Sequence, residues 1–170
     1  MTTTIVLAMH GAPPTDFPRQ EAGELFGLRG RLECAAPADR PALEQRLREL
    51  NAKMRAWPRS ARNDPYYAGS QDLAQHLRQS TGLPVLVGFN EFCAPSLDEA
   101  LDQAAGAQPG RIIVVTPMMT RGGEHVEREI PAAVAGAQSR HPGVRVEYLW
   151  PFDVSQVADF LAARIAAWSW

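Results

Sequence analysis

Four short runs of apolar and β-branched residues constrain this chain more than any other feature: residues 4–9, 85–89, 111–116 and 144–149. They are rich in Val and Ile, and the first three do not alternate with polar side chains. That pattern belongs to strands buried on both faces of a parallel sheet. Helical patterns separate them, over residues 70–80, 96–105, 126–137 and 154–168. Ser96 with Glu99 three residues later reads as a capping box. Glu127 and Glu129 lie in the first turns of the third helix, where carboxylates suit the helix dipole. Strand alternating with helix predicts an α/β fold, a three-layer sandwich around a four-stranded parallel sheet.

Residues 11–68 break this rhythm. A strand-helix-strand step takes about 30 residues and leaves no room for so long a gap. The segment holds Pro13, Pro14, Pro18, Pro37, Pro41, Pro58 and Pro65, so much of it reads as loop. Within it, residues 42–57 read as a helix, because Leu43, Leu47, Leu50 and Met54 recur at helical steps. The expectation is a single domain over 1–170, with 11–68 a long helical insertion after the first strand, an inserted or remodelled arm that carries a basic helix. Residues 40–62 hold seven basic side chains (Arg40, Arg46, Arg48, Lys53, Arg55, Arg59 and Arg62) against Glu44 and Glu49. Either they form a solvated helix face or they cradle a polyanionic ligand, since arginine forks match carboxylates.

The bulk properties exclude several classes. The net charge is -2, which gives no electrostatic reason to expect nucleic acid. Cys34 and Cys93 are too few and too far apart for a disulfide framework or a zinc knuckle, and free thiols fit a reducing compartment. No stretch approaches the roughly 18 apolar residues of a membrane span, and residues 2–4 run straight into a strand without a signal-peptide pattern. The expected location is the cytoplasm. There is no Walker motif, no Gly-x-Gly-x-x-Gly and no Gly-x-Ser-x-Gly, against nucleotide-binding and hydrolase readings.

Chemistry-bearing residues gather where strands end. His10 closes the first strand and is followed by Gly11, which permits a sharp turn and a close approach. His125 follows the third strand after the turn Arg121-Gly122-Gly123. Each histidine alone reads equally as a satisfied core residue. Two of them past the carboxyl ends of parallel strands point to one crevice and to a divalent metal ion, for which neutral imidazole is a common ligand. Glu91, just past the second strand, either bonds a loop or completes a His-Glu-His set that leaves coordination positions open. Glu129, one turn beyond His125, is either a helix-dipole carboxylate or a partner that orients the imidazole. Cys93, Met118 and Met119 read as packing residues, and His76 and His141 as surface residues.

Three blocks together resemble a known family. They are His10-Gly11 after the first strand, Phe89-Asn90-Glu91 followed by residues 94–101, and Pro117 through Gly122-Gly123-Glu124-His125-Val126-Glu127-Arg128-Glu129-Ile130-Pro131. The chain resembles the class II tetrapyrrole chelatases, and among them the small single-domain cobaltochelatase and sirohydrochlorin ferrochelatase family, over residues 4–11 and about 84–150. The resemblance implies a chelatase-like lobe that inserts a divalent ion, Co2+ or Fe2+, into a tetrapyrrole such as sirohydrochlorin without ATP. It implies no cofactor beyond that metal substrate. It puts the family's two active-site histidines on His10 and His125 and its acid on Glu91. A homodimer is expected, with Trp168 and Trp170 contributing, and no nucleic-acid or membrane partner. Two departures are visible. The first strand is joined to the second over about twice the usual length, and residues 150–153 lack a histidine often found there. His10-Gly11-Ala12-Pro13 and Tyr67-Ala68-Gly69-Ser70 are similar to the lobe of protohaem ferrochelatases.

A metal centre of this kind would take an ion on two neutral imidazoles, pass it to pyrrole nitrogens, and leave Glu91 or an imidazole as general base. Two other readings stand beside it: a non-catalytic tetrapyrrole or metal carrier using the same site, and a phosphate-binding protein using Gly122-Gly123 at a helix start.

Overall fold

The computed structural model describes residues 2–168. Its strands are β1 (Thr3–Met9), β2 (Val85–Phe89), β3 (Arg111–Val115) and β4 (Arg145–Tyr148). They form one parallel sheet in the order β2-β1-β3-β4, with Ile5 opposite both Val85 and Ile113. The helices are α1 (Arg19–Glu33), α2 (Arg40–Arg55), α3 (Pro65–Thr81), α4 (Leu97–Gly106), α5 (Ile130–Arg140) and α6 (Val154–Ala166), and a π-helix spans His125–Glu129.

The alternation of a strand's side chains splits the core in two. Val6 and Ala8 of β1, with Ile112 and Val114 of β3, pack against Leu97, Ala100, Leu101 and Ala104 of α4 and Ile130 and Ala137 of α5. Ile5, Leu7 and Met9 face the other way, toward Ala74 and Tyr67 of α3. The expected three-layer α/β sandwich with a parallel sheet is the fold observed. The capping box is present, with the Ser96 hydroxyl accepting from the Glu99 N–H and the Glu99 carboxylate accepting from the Ser96 N–H.

The long insertion is helical, as expected, but over more of its length than residues 42–57. Residues 19–33, read as loop, form α1, which pairs with α2 around Leu25, Leu28, Leu50, Met54, Phe17 and Phe92. Gly23, Gly27 and Gly30 each cost α1 local helix propensity. Packing on the Leu43-Leu47-Leu50-Met54 stripe of α2 outweighs that cost. The third expected helix also differs: it opens as a π-helix, in which the Ile130 N–H bonds the His125 carbonyl, before α5 begins. Pro131 has no N–H to close an ordinary turn there, so a wider one costs little.

No helix among the described residues is long and apolar enough to cross a membrane. None of the residues of α6 is buried; Phe160, Leu161, Ile165 and the following Trp168 are exposed. Trp170 lies outside the described residues.

Candidate metal centre

The order β2-β1-β3-β4 places the reversal of winding between β1 and β3, and ligands of open parallel sheets bind at such a point beyond the strands' carboxyl ends. His10 follows β1 directly. Its backbone N–H donates to the Tyr66 hydroxyl at 3.2 Å, and its ring Nδ1 lies 2.8 Å from the Gly11 carbonyl. The β1–β2 ladder continues past the strands: the Asn90 N–H donates to the Met9 carbonyl at 2.9 Å and the Glu91 N–H to the His10 carbonyl at 2.8 Å. Adjacent backbones thus bring His10 and Glu91 together. Gly11 has φ of 98°, and a Cβ there would stand 1.9 Å from the Glu91 carbonyl oxygen, so no other residue fits.

The loop after β3 returns His125 to the same spot. The rings of His10 and His125 meet edge to face, with centroids 4.4 Å apart. The ligand atoms of His10, Glu91 and His125 all lie within 4.8 Å of one another. His125 Nδ1 is 2.5 Å from a Glu129 carboxylate oxygen. A carbonyl and a carboxylate only accept, so each Nδ1 carries the proton and each Nε2 a lone pair. Neither Nε2 has a protein partner among the described residues. The Glu129 contact is the carboxylate–histidine arrangement that orients metal-ligating imidazoles.

The loop that presents Glu91 is held by arginines. Arg55 donates to the carbonyls of Cys93 at 2.7 Å and Asn90 at 2.8 Å. Arg59, 5% exposed, pairs with Asp64, 1% exposed, and donates to the carbonyls of Ala12, Met54 and Phe92. Phe92 sits in the left-handed region at φ 57°. These bonds revise the reading of the basic run as a carboxylate cradle. Arg46 is taken by Glu24 in a bidentate pair, Lys53 by Glu21, and Arg48 lies beside Glu44. The Arg46 pair holds the Glu24 carboxyl below its usual range.

The remaining candidates fall outside the cluster. Cys93 is buried beside the Ala12 carbonyl and Asp64, and burial pushes its thiol pKa up. Met118 packs on the core, and Met119 is exposed. His76 lies on the surface of α3, whereas His141 bonds Asp102 at 2.7 Å and ties the end of α5 to α4. Gly122 offers no free anion site, because its N–H is 3.3 Å from a Glu127 oxygen. Sequence reading missed Arg29 on α1, which bonds Glu91 at 2.7 Å, and Tyr66. No local signal marked either, since Arg29 lay in an expected loop and Tyr66 two residues past a proline.

Comparisons with known proteins agree with this fold. The model of the CbiX family matches residues 60–167, a span that includes Glu91 and His125. A curated sirohydrochlorin cobaltochelatase from Methanothermobacter thermautotrophicus is 35% identical over 72 residues, which cover 41% of this chain and 50% of that protein. The matched stretch is thus about half the length of that curated relative. Among solved structures, one described as a cobalamin (vitamin B12) biosynthesis CbiX protein, from Marinobacter aquaeolei VT8, aligns with a TM-score of 0.54 at 15% identity. That alignment covers 96% of this chain and 93% of the other. The likeness concerns the fold. The sirohydrochlorin chelatase SirB from Bacillus subtilis subspecies spizizenii, solved in complex with cobalt, aligns at a TM-score of 0.49 and 17% identity, over 98% of this chain and 50% of SirB.

Proposed function

The chain belongs to the CbiX family, and from that premise we propose that it is an ATP-independent metal chelatase that inserts Co2+ or Fe2+ into a tetrapyrrole such as sirohydrochlorin. The observation that carries this reading is the convergence of His10, Glu91 and His125 beyond the sheet's carboxyl edge. Two neutral imidazole nitrogens and one carboxylate fill three positions around a divalent ion and leave others open. That suits an ion which must be handed on. The macrocycle enters, its pyrrole nitrogens replace the imidazoles one at a time, and two pyrrole protons leave. Glu91, or an imidazole released by the ion, accepts a proton as general base. The products are the metallated macrocycle and two protons.

The 170 residues act in this reading as one chelatase-like domain, with residues 11–68 an arm over the site. Helix α6, with no buried residue and with Phe160, Leu161 and Ile165 on its surface, supports a homodimer formed through that helix. Sedimentation should then give twice the chain mass.

The experiment is anaerobic incubation of the purified protein with sirohydrochlorin and, separately, protoporphyrin. Co2+, Fe2+ or Ni2+ is supplied to each while absorbance is followed. Multiple turnovers with sirohydrochlorin are expected. Stoichiometric binding without turnover would make the protein a carrier instead.

A further inference from the structure

Glu91 does not stand free in the cluster. Arg29, reaching from α1, donates to its Oε1 at 2.7 Å, and the guanidinium lies over the Phe92 ring, 5.7 Å from its centroid. Beside them opens a cavity of about 420 Å3 lined by Arg29, Asn51, Arg55, Asn90, Glu91 and Glu129. The cavity therefore touches the carboxylate of the His10-Glu91-His125 cluster and the carboxylate that orients His125. Its wall also holds an unmet donor: Asn90 Nδ2 is buried without a hydrogen-bond partner among the described residues. A buried amide donor in that state costs free energy until an acceptor reaches it. Arg55 is held by the carbonyls of Cys93 and Asn90, so Arg29, half exposed and bonded to Glu91 alone among the described residues, is the guanidinium on this wall with donors to spare.

We propose that Arg29 changes partner during the reaction. In the ion-free protein it neutralises Glu91. Once a divalent cation sits on Glu91, Arg29 and the cation repel each other. The guanidinium then turns to a carboxylate on the macrocycle's rim. The substrate class is a tetrapyrrole carrying acetate or propionate groups near its core, so the inference rests on the chelatase reading and deepens it. No bond is made or broken in the exchange; an ion pair is traded for another. The consequence is reciprocal: ion loading and macrocycle binding favour one another through a single side chain. Arg29 lies in the arm, which would thereby couple ion capture to the choice of macrocycle. It is a positioning residue that acts through Glu91 on one side and through the substrate rim on the other.

The test titrates wild type, Arg29→Ala and Arg29→Lys with Co2+ alone, by calorimetry, and with metal-free sirohydrochlorin alone, by quenching of tryptophan fluorescence. Arg29→Ala should bind Co2+ severalfold tighter, because a positive charge has gone from beside the site. It should bind sirohydrochlorin about tenfold more weakly, the loss expected for one charge-assisted bond. Arg29→Lys should bind Co2+ as wild type does and fall between the two for the macrocycle. A merely structural role would weaken both ligands together, and that result, or no change in either, overturns the proposal. Arg29 is 46% exposed in its side chain, so the variants should fold, which circular dichroism checks. If the wild type binds no sirohydrochlorin, the chelatase reading fails and this inference fails with it. If the wild type inserts metal and Arg29→Ala moves neither affinity, only the inference falls.

Discussion

The ring of His125 stands edge-on to that of His10, the planes 84° apart, although the two residues lie far apart in the sequence. Each is anchored on its Nδ1 side, one by the Gly11 carbonyl and the other by Glu129. The anchors leave both Nε2 atoms without a hydrogen-bond partner among the described residues, in a cluster whose ligand atoms, with Glu91, lie within 4.8 Å of one another. His10→Ala and His125→Ala should each abolish metal insertion while leaving the thermal melt within a few degrees of wild type. Insertion of Co2+ or Fe2+ at the wild-type rate by either variant would remove that histidine from the site.

Glu129 bonds His125 but is not one of the three clustered ligand residues. Removing it should leave the ligand set complete but free His125 to rotate and change tautomer. Glu129→Ala is expected to cost about 10- to 100-fold in Co2+ affinity, the range found for partners of metal-bound imidazoles. A calorimetric titration reads this directly. Unchanged affinity would make the carboxylate a helix-dipole feature only.

Gly11 is constrained by its neighbour rather than by its own turn alone. Gly11→Ala would drive a methyl group to within 1.9 Å of the Glu91 carbonyl oxygen, at a φ that favours glycine. The two loops must part, which separates His10 from Glu91. Loss of Co2+ binding together with a lowered melting temperature is expected. Retention of wild-type binding would mean that the loops move apart without harm.

The Arg59–Asp64 pair sits behind the site, almost wholly out of water. Asp64→Ala leaves a buried guanidinium without its counter-ion and strips α3 of the cap that Asp64 provides to the Tyr67 N–H. The expected cost is about 3–5 kcal/mol in urea unfolding. A loss below about 1 kcal/mol would show that the carbonyls of Ala12, Met54 and Phe92 suffice for Arg59.

Bonds from the backbone N–H and hydroxyl of Ser96 hold the Glu99 carboxyl below its ordinary 4.5. A depressed folded pKa contributes stability above the unfolded value, and the contribution is lost as pH falls through the folded one. Glu99→Gln should therefore be less stable than wild type at pH 7, by about 1 kcal/mol or less for an exposed cap. The gap should close in acid, below the ordinary carboxylate range. A gap that persists at pH 2–3 would assign the loss to packing instead.

The sheet was legible because its signal is local. A strand buried on both faces must be continuously apolar, and residues 85–89 carry that property wherever they sit. The capping box at Ser96 is likewise a four-residue pattern. Residues 19–33 carry no such signal: three glycines and scattered leucines give a weak helix whose stability comes from α2. The same dependence explains the basic run. Its composition described a charge surplus, but whether Arg46 and Arg55 face a ligand or a neighbour depends on Glu24 and on the carbonyls of Asn90 and Cys93, which lie far away in sequence.

From the residues alone follow the four strands, though the edge strand β4 is only partly buried, the positions of His10, Glu91 and His125 beyond strand ends, and the type of chemistry those side chains can do. Which Nδ1 meets which acceptor, the seating of Glu91 against Arg29, and the approach that makes Gly11 obligatory arise only when the strand ends are brought edge to edge. The physical reason is range: burial patterns and caps act within a few residues, whereas a coordination shell is set by distances of a few ångströms between segments that the chain holds far apart.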